Sequence, residues 1–112
     1  MNLQTFHPGL TLEHWHALTL CEQLGNIGSE VGRALTAKKQ HNHKRELAAL
    51  DRALELFDLT IADPKHHGHC RELCRAREVV CDYFFGDNEY GSTPENLDRY
   101  FMVYAIAARR DR

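Results

Sequence analysis

The sequence predicts an all-α protein folded as an up-down-up-down antiparallel four-helix bundle with short loops. Three observations predict it. Apolar residues recur at three- and four-residue spacing along most of the chain. Proline and glycine concentrate at breaks between those stretches, at Pro8-Gly9, at Pro64 with Gly68, and at Gly86 and Gly91 with Pro94. No segment alternates apolar and polar residues for long enough to read as a strand. The 112 residues suffice for one domain, 1–112, and not for two ordinary ones. Helices are predicted at about 12–38, 44–62, 69–85 and 94–110. Three longer helices with an irregular 69–110 region is the competing layout.

The first helix starts at Thr11, a side chain suited to cap an orphan amide, followed by Glu13 at the positive end of the helix dipole. Leu20, Leu24, Ile27, Val31 and Leu35 make its core stripe, which leaves Trp15 and Leu18 pointing elsewhere and exposed. Gly25, Gly28 and Gly32 fall together between those groups. A helix-interior glycine costs about 1 kcal/mol relative to alanine, so three on one side need a reason. One reason is close helix–helix approach, inside the bundle or across an oligomer interface; the other is backbone offered to a ligand. With Trp15 and Leu18 extending the patch, the glycine row reads as an oligomer or helix-packing seam.

The second helix presents Leu47, Leu50, Leu54, Phe57 and Ile61 on one stripe, and Asp63-Pro64 ends it because a residue before proline is pushed out of the α region. The third presents Leu73, Val80 and Phe84 with Cys70, Cys74 and Cys81. The fourth opens on Thr93-Pro94-Glu95, a cap, a proline suited to the first helical position and an acid for the dipole. Its stripe is Leu97, Tyr100, Phe101, Tyr104 and Ala108.

Charge excludes some function classes and suggests another. Fourteen Lys and Arg against 16 Asp and Glu leave a net charge of −2, without the overall excess of a strongly basic nucleic-acid binder. No apolar run approaches the roughly 18 residues of a membrane span. The start lacks a basic segment followed by an apolar one, so a cytoplasmic protein with reduced thiols is expected. Locally the picture changes. Arg33, Lys38, Lys39, Lys44 and Arg45 occur together with no acid among them, and residues 78–98 carry six acids with no base. The bundle layout puts both segments at one end. They serve either as solvated loops that neutralise each other, or as a phosphate contact through AKKQHNHKR, with Arg109, Arg110 and Arg112 as a second basic site. The loop carrying Asp87, Asn88, Glu89 and Tyr90 is a candidate protein-binding surface, with Phe84, Phe85 and Tyr90 stapling it to the bundle.

The alternative is a metal site. His66, His67, His69, Cys70 and Cys74 carry imidazole and thiolate groups at helical spacing, and His14 and His16 are expected at the same end. Otherwise the histidines are solvated and the cysteines are small core residues. Glu13 and His16 form one Glu-x-x-His, but a di-iron bundle needs a second copy that the sequence lacks. Arg77, on the cysteine face, needs an acid such as Asp51, Asp58 or Glu30. No nucleophile has a base beside it in sequence and no glycine loop cradles phosphate, so catalysis is not the favoured reading and no cofactor is expected.

The segments LGNIGSEVGRAL (24–35), LELFDLTIADP (54–64), CDYFFGDNEYGS (81–92) and LDRYFMVYAIAARR (97–110) resemble a family of small bacterial helical proteins without an assigned activity. Asn26-Ile27 followed by Arg33 also resembles the four-helix proteins encoded in ribosomal-RNA intervening sequences and their accessory variability relatives. This chain departs from them in a glutamate displaced by one residue and in its acidic balance. The resemblance implies oligomers that meet nucleic acid and a nucleic-acid enzyme. The sequence therefore reads as a non-enzymatic oligomeric binding or scaffolding module, with the metal-binding bundle as the alternative.

Overall fold

The computed structural model describes residues 11–110. Four long helices form the bundle: α2 (Leu20–Lys39), α3 (His43–Ile61), α4 (Cys70–Phe85) and α5 (Pro94–Arg110). A short α1 (Leu12–Ala17) precedes them, and Pro64–His69 winds as 3₁₀ turns between α3 and α4. The short connections, with side-chain pairings between neighbours, fit alternating directions. Glu30 of α2 meets Arg52 of α3, Asp58 of α3 meets Arg77 of α4, and Glu72 of α4 meets Tyr104 of α5. Gly25 and Gly28 of α2 lie against Ala105 and Phe101 of α5, so the first and last long helices are antiparallel neighbours.

The helices do not share the core equally. α2 packs along both α3 and α5, α3 touches α4 more lightly, and the backbones of α4 and α5 stand apart, joined through side chains such as Glu72 and Tyr104. Leu24, Ile27, Val31, Leu50, Phe57, Leu73, Val80 and Phe101 are buried at the centre, with the Phe57 and Phe101 rings edge-on at 6.2 Å. Because α4 has a close neighbour on one side only, its buried stripe is narrow: Leu73, Ala76 and Val80. Cys70 and Cys81 are half-buried and Cys74 is exposed, so the cysteines are not the core residues the sequence suggested. Leu47 is likewise exposed, and Glu46 is buried beside it.

The predicted first helix is two helices. It breaks at Leu18, and α2 starts afresh from a capping box in which the Thr19 hydroxyl accepts from the Glu22 amide at 3.1 Å and the Glu22 carboxylate accepts from the Thr19 amide at 2.9 Å. The break turns α1 onto the bundle. Trp15 is therefore buried rather than exposed, donating from Nε1 to Thr60 Oγ1 at 3.0 Å, and Leu18 is half-buried against the core. The Thr11 and Thr93 caps form as predicted, accepting from the amides of His14 and Asn96.

The turn between α2 and α3 is tight. The amides of His41 and Asn42 donate back to the carbonyls of Lys38 and Ala37, and His41 takes φ 59°, the left-handed conformation usual for glycine after a helix. Asn42 then caps α3 by accepting from the Arg45 amide at 3.2 Å. The α4–α5 loop is also built rather than loose. The Asp82 carboxylate accepts from the amides of Glu89 and Tyr90 at 2.9 and 3.1 Å, and the Asn88 side chain makes two hydrogen bonds with the Ser92 backbone.

Candidate functional site

The basic segment is not a flexible arm. Lys38 and Lys39 occupy the last turn of α2, where cations suit the helix dipole. Lys44 and Arg45 occupy the first turn of α3, where the dipole opposes a cation by about 0.3–1 kcal/mol each. Helix stability therefore does not account for Lys44 and Arg45.

Arg45 lines an open groove of about 750 Å³ along the α2–α3 face, with Arg33 and Arg52 on its walls and Gly32, Ala48 and Ala49 along it. Glu30, mostly buried, holds two of these arginines: Oε1 accepts from Arg33 at 2.8 Å and Oε2 from Arg52 at 2.9 Å. One carboxylate thus fixes two guanidiniums and neutralises one of them. Arg45 makes no ion pair among the described residues. Asp98 of α5 reaches one edge and is the only other acid there. Arg52 was missed in the sequence, although it lies seven residues beyond Arg45, two helical turns along the same face.

Gly32 is unlike its two companions. A β-carbon on Gly28 would meet Phe101 Cβ at 2.4 Å, and one on Gly25 would meet the Ala105 backbone at 3.2 Å. One on Gly32 would meet nothing within 4 Å. The predicted glycine seam therefore divides. Gly25 and Gly28 are spent on the contact with α5, and Trp15 is not on that surface at all. Of the three, Gly32 alone has open space where a β-carbon would stand, and it lines the groove.

The acidic segment does share this end of the bundle. Lys38 Nζ lies 5.9 Å from the centre of the Tyr83 ring, which places the end of α2 beside the end of α4. Asn88 of the predicted binding loop is committed to the loop's own fold, and Arg75 lies over the Tyr90 ring at 5.5 Å. Phe85 and Tyr90 are exposed, so of the expected staples only Phe84 packs on the core.

At the other end of the bundle His66, His67 and His69 lie near His16, without making a metal centre among the described residues. His66 is buried and its Nε2 donates to Gln23 Oε1 at 2.6 Å. That direction follows from Gln23, whose amide nitrogen already donates to the Trp15 carbonyl at 2.8 Å and to Asp63 at 3.4 Å. Burial pushes the His66 imidazole below its ordinary value; Asp63 opposes this and Lys65 adds to it. Burial would raise the Asp63 carboxyl, but hydrogen bonds from the Lys65 ammonium, the Lys65 amide and Gln23 outweigh it and hold the pKa at about 2. Lys65 also donates to the His16 carbonyl, tying α1 to this corner. His67 and His69 are exposed, His69 lies 3.9 Å from Glu72, and the Cys70 thiol turns to the His66 carbonyl. Among the described residues no three His, Cys, Asp or Glu side chains are placed to hold a metal ion, which removes the support for a site over His66, His67, His69, Cys70 and Cys74. Gln23, Asp63 and Lys65 carried no sequence signal beyond the helix-ending Asp-Pro.

Of the three candidate acids Arg77 pairs with Asp58, its Nε and Nη2 reaching the two carboxylate oxygens at 2.9 and 3.4 Å near the surface. Burial pushes the neighbouring Cys81 thiol up, against the effect of Arg77, which keeps it protonated and a poor nucleophile at neutral pH. No helix among the described residues is long and apolar enough to cross a membrane. Compared with known proteins, the chain matches no family model, no curated protein and no solved structure.

Proposed function

We propose that the protein is a non-enzymatic binding module whose α2–α3 groove takes the phosphate backbone of a nucleic acid. The observation that carries this reading is the groove itself: Arg33, Arg45 and Arg52 around the open space at Gly32, with Glu30 orienting two of the three guanidiniums. Arginine forks suit phosphate oxygens, and pairing with a carboxylate fixes their planes in advance. Lys38, Lys39 and Lys44 extend the positive surface beyond the groove's end. No aromatic side chain lines the groove, so contact is with backbone rather than with stacked bases and sequence preference is weak.

The module works as an oligomer that presents several grooves at once, and kinship with the intervening-sequence and accessory variability proteins belongs to the same proposal. Four free thiols support a reducing, cytoplasmic setting. The test is fluorescence anisotropy with a labelled single-stranded RNA over a salt series. Binding that weakens steeply with salt, and that weakens further with a shallower salt slope in Arg45→Ala and Lys44→Ala, supports the reading. Absence of binding at low salt, or binding that ignores Arg45→Ala, overturns it.

A further inference from the structure

α5 carries an apolar crest on its outer side. Tyr100, Val103 and Ile106 are 36%, 61% and 44% exposed, and at helical spacing they share an arc of about 120°. A solvent-facing helix surface is ordinarily polar, and the other exposed apolar residues outside α5 (Leu12, Leu47, Phe85 and Tyr90) are scattered over separate elements. The open seam between α4 and α5 widens the patch with a cleft of about 300 Å³, lined by Ala76, Val79 and Leu97. Charge along α5 is polarised: Glu95 stands in its first turn, and Arg109 and Arg110 in its last.

We propose that α5 pairs with α5 of a second copy of this chain, antiparallel about a two-fold axis at Val103. In that register Val103 faces Val103 of the partner subunit, and Tyr100 stands level with Ile106 of the partner subunit. Glu95 comes within one residue, about 1.5 Å of helical rise, of Arg110 of the partner subunit. A parallel pair would stack Glu95 on Glu95 and Arg110 on Arg110, so the charges select the antiparallel arrangement. Opposed helix dipoles favour it too. A single helix face with a flanking cleft buries an area at the low end for specific complexes, so the dimer forms reversibly. The pairing uses none of the groove arginines, so its failure and the failure of nucleic-acid binding are separate results.

The test is sedimentation equilibrium of the full chain over a concentration series. A two-subunit mass that falls to one on dilution is expected. Val103→Glu gives one subunit throughout, with the helical circular dichroism of the parent, and Val103→Ser weakens association without a buried charge. Glu95→Arg and Arg110→Glu each raise the dissociation midpoint by about tenfold, and the double exchange restores it. A single-subunit mass at every concentration, a mass above two subunits, association indifferent to both Val103 variants, or a double exchange as weak as the single ones overturns the proposal.

Discussion

The side chain of Phe101 fills the space that a β-carbon on Gly28 would take: such an atom would stand 2.4 Å from Phe101 Cβ. This places α5 hard against α2 and leaves Phe101 buried edge-on to Phe57. Gly28→Ala therefore destabilises by about 1–3 kcal/mol, the usual range for overpacking, despite alanine's better helix propensity. Gly32→Ala meets no neighbour and stabilises by up to about 1 kcal/mol. Urea denaturation of the two variants gives midpoints shifted in opposite directions.

His41 holds a left-handed conformation at φ 59°, where a side chain is strained. His41→Gly relieves this and keeps the hydrogen bonds that close α2, which are made by backbone groups. An increase in stability of about 1 kcal/mol is expected, measured by thermal unfolding.

Thr60 accepts from the Trp15 indole and donates to the Leu56 carbonyl at 2.8 Å, all three groups buried. Thr60→Val keeps the shape and strands the indole N–H, at a cost of about 1–3 kcal/mol. Trp15 is the one tryptophan in the chain, so its emission reports the unfolding directly.

Acid acts on the corner that holds α1, in two stages. The imidazole of His66 binds its proton less well folded than unfolded, so the unfolded state gains protons first. Stability present above the ordinary histidine value of 6.5 is lost as pH falls through it towards the lower folded value. Asp63, at about 2 when folded against an ordinary 3.8, contributes about 2 kcal/mol that is complete above 3.8 and lost by about pH 2. Urea midpoints taken from neutral pH to about pH 3 fall in both stages; Asp63→Asn removes the lower one, and His66→Gln the upper.

The positions of the four long helices were legible because each has its own apolar stripe, with marked ends at Asp63-Pro64 and Thr93-Pro94; the Asn42 cap of α3 emerged only in the structure. The break at Leu18 was not legible. Helical periodicity carried on through it and placed Trp15 on the outside, although Thr19 and Glu22 spelled a capping box within the run. Periodicity also treats every helix as surrounded, and α4 is not, which is why Cys74 reaches solvent. Of the groove, Arg33 and Arg45 were legible from charge. Arg52 and Gly32 acquire meaning only once α2 and α3 are side by side, since Glu30 joins residues 22 positions apart in the chain.

At six residues α1 is far below the length at which an isolated helix persists in water, so it depends on what it touches. Apart from Gln23, which donates to the Trp15 carbonyl, its anchors are distant in sequence: Thr60 for the Trp15 indole, the Leu59 carbonyl for His16, and Lys65 for the His16 carbonyl. None of these exists until α2 and α3 have closed on one another and the chain has turned past Asp63. The segment that leaves the ribosome before the bundle helices thus acquires its shape after the α2–α3 hairpin that follows it, and for this stretch the order of synthesis and the order of folding run in opposite directions.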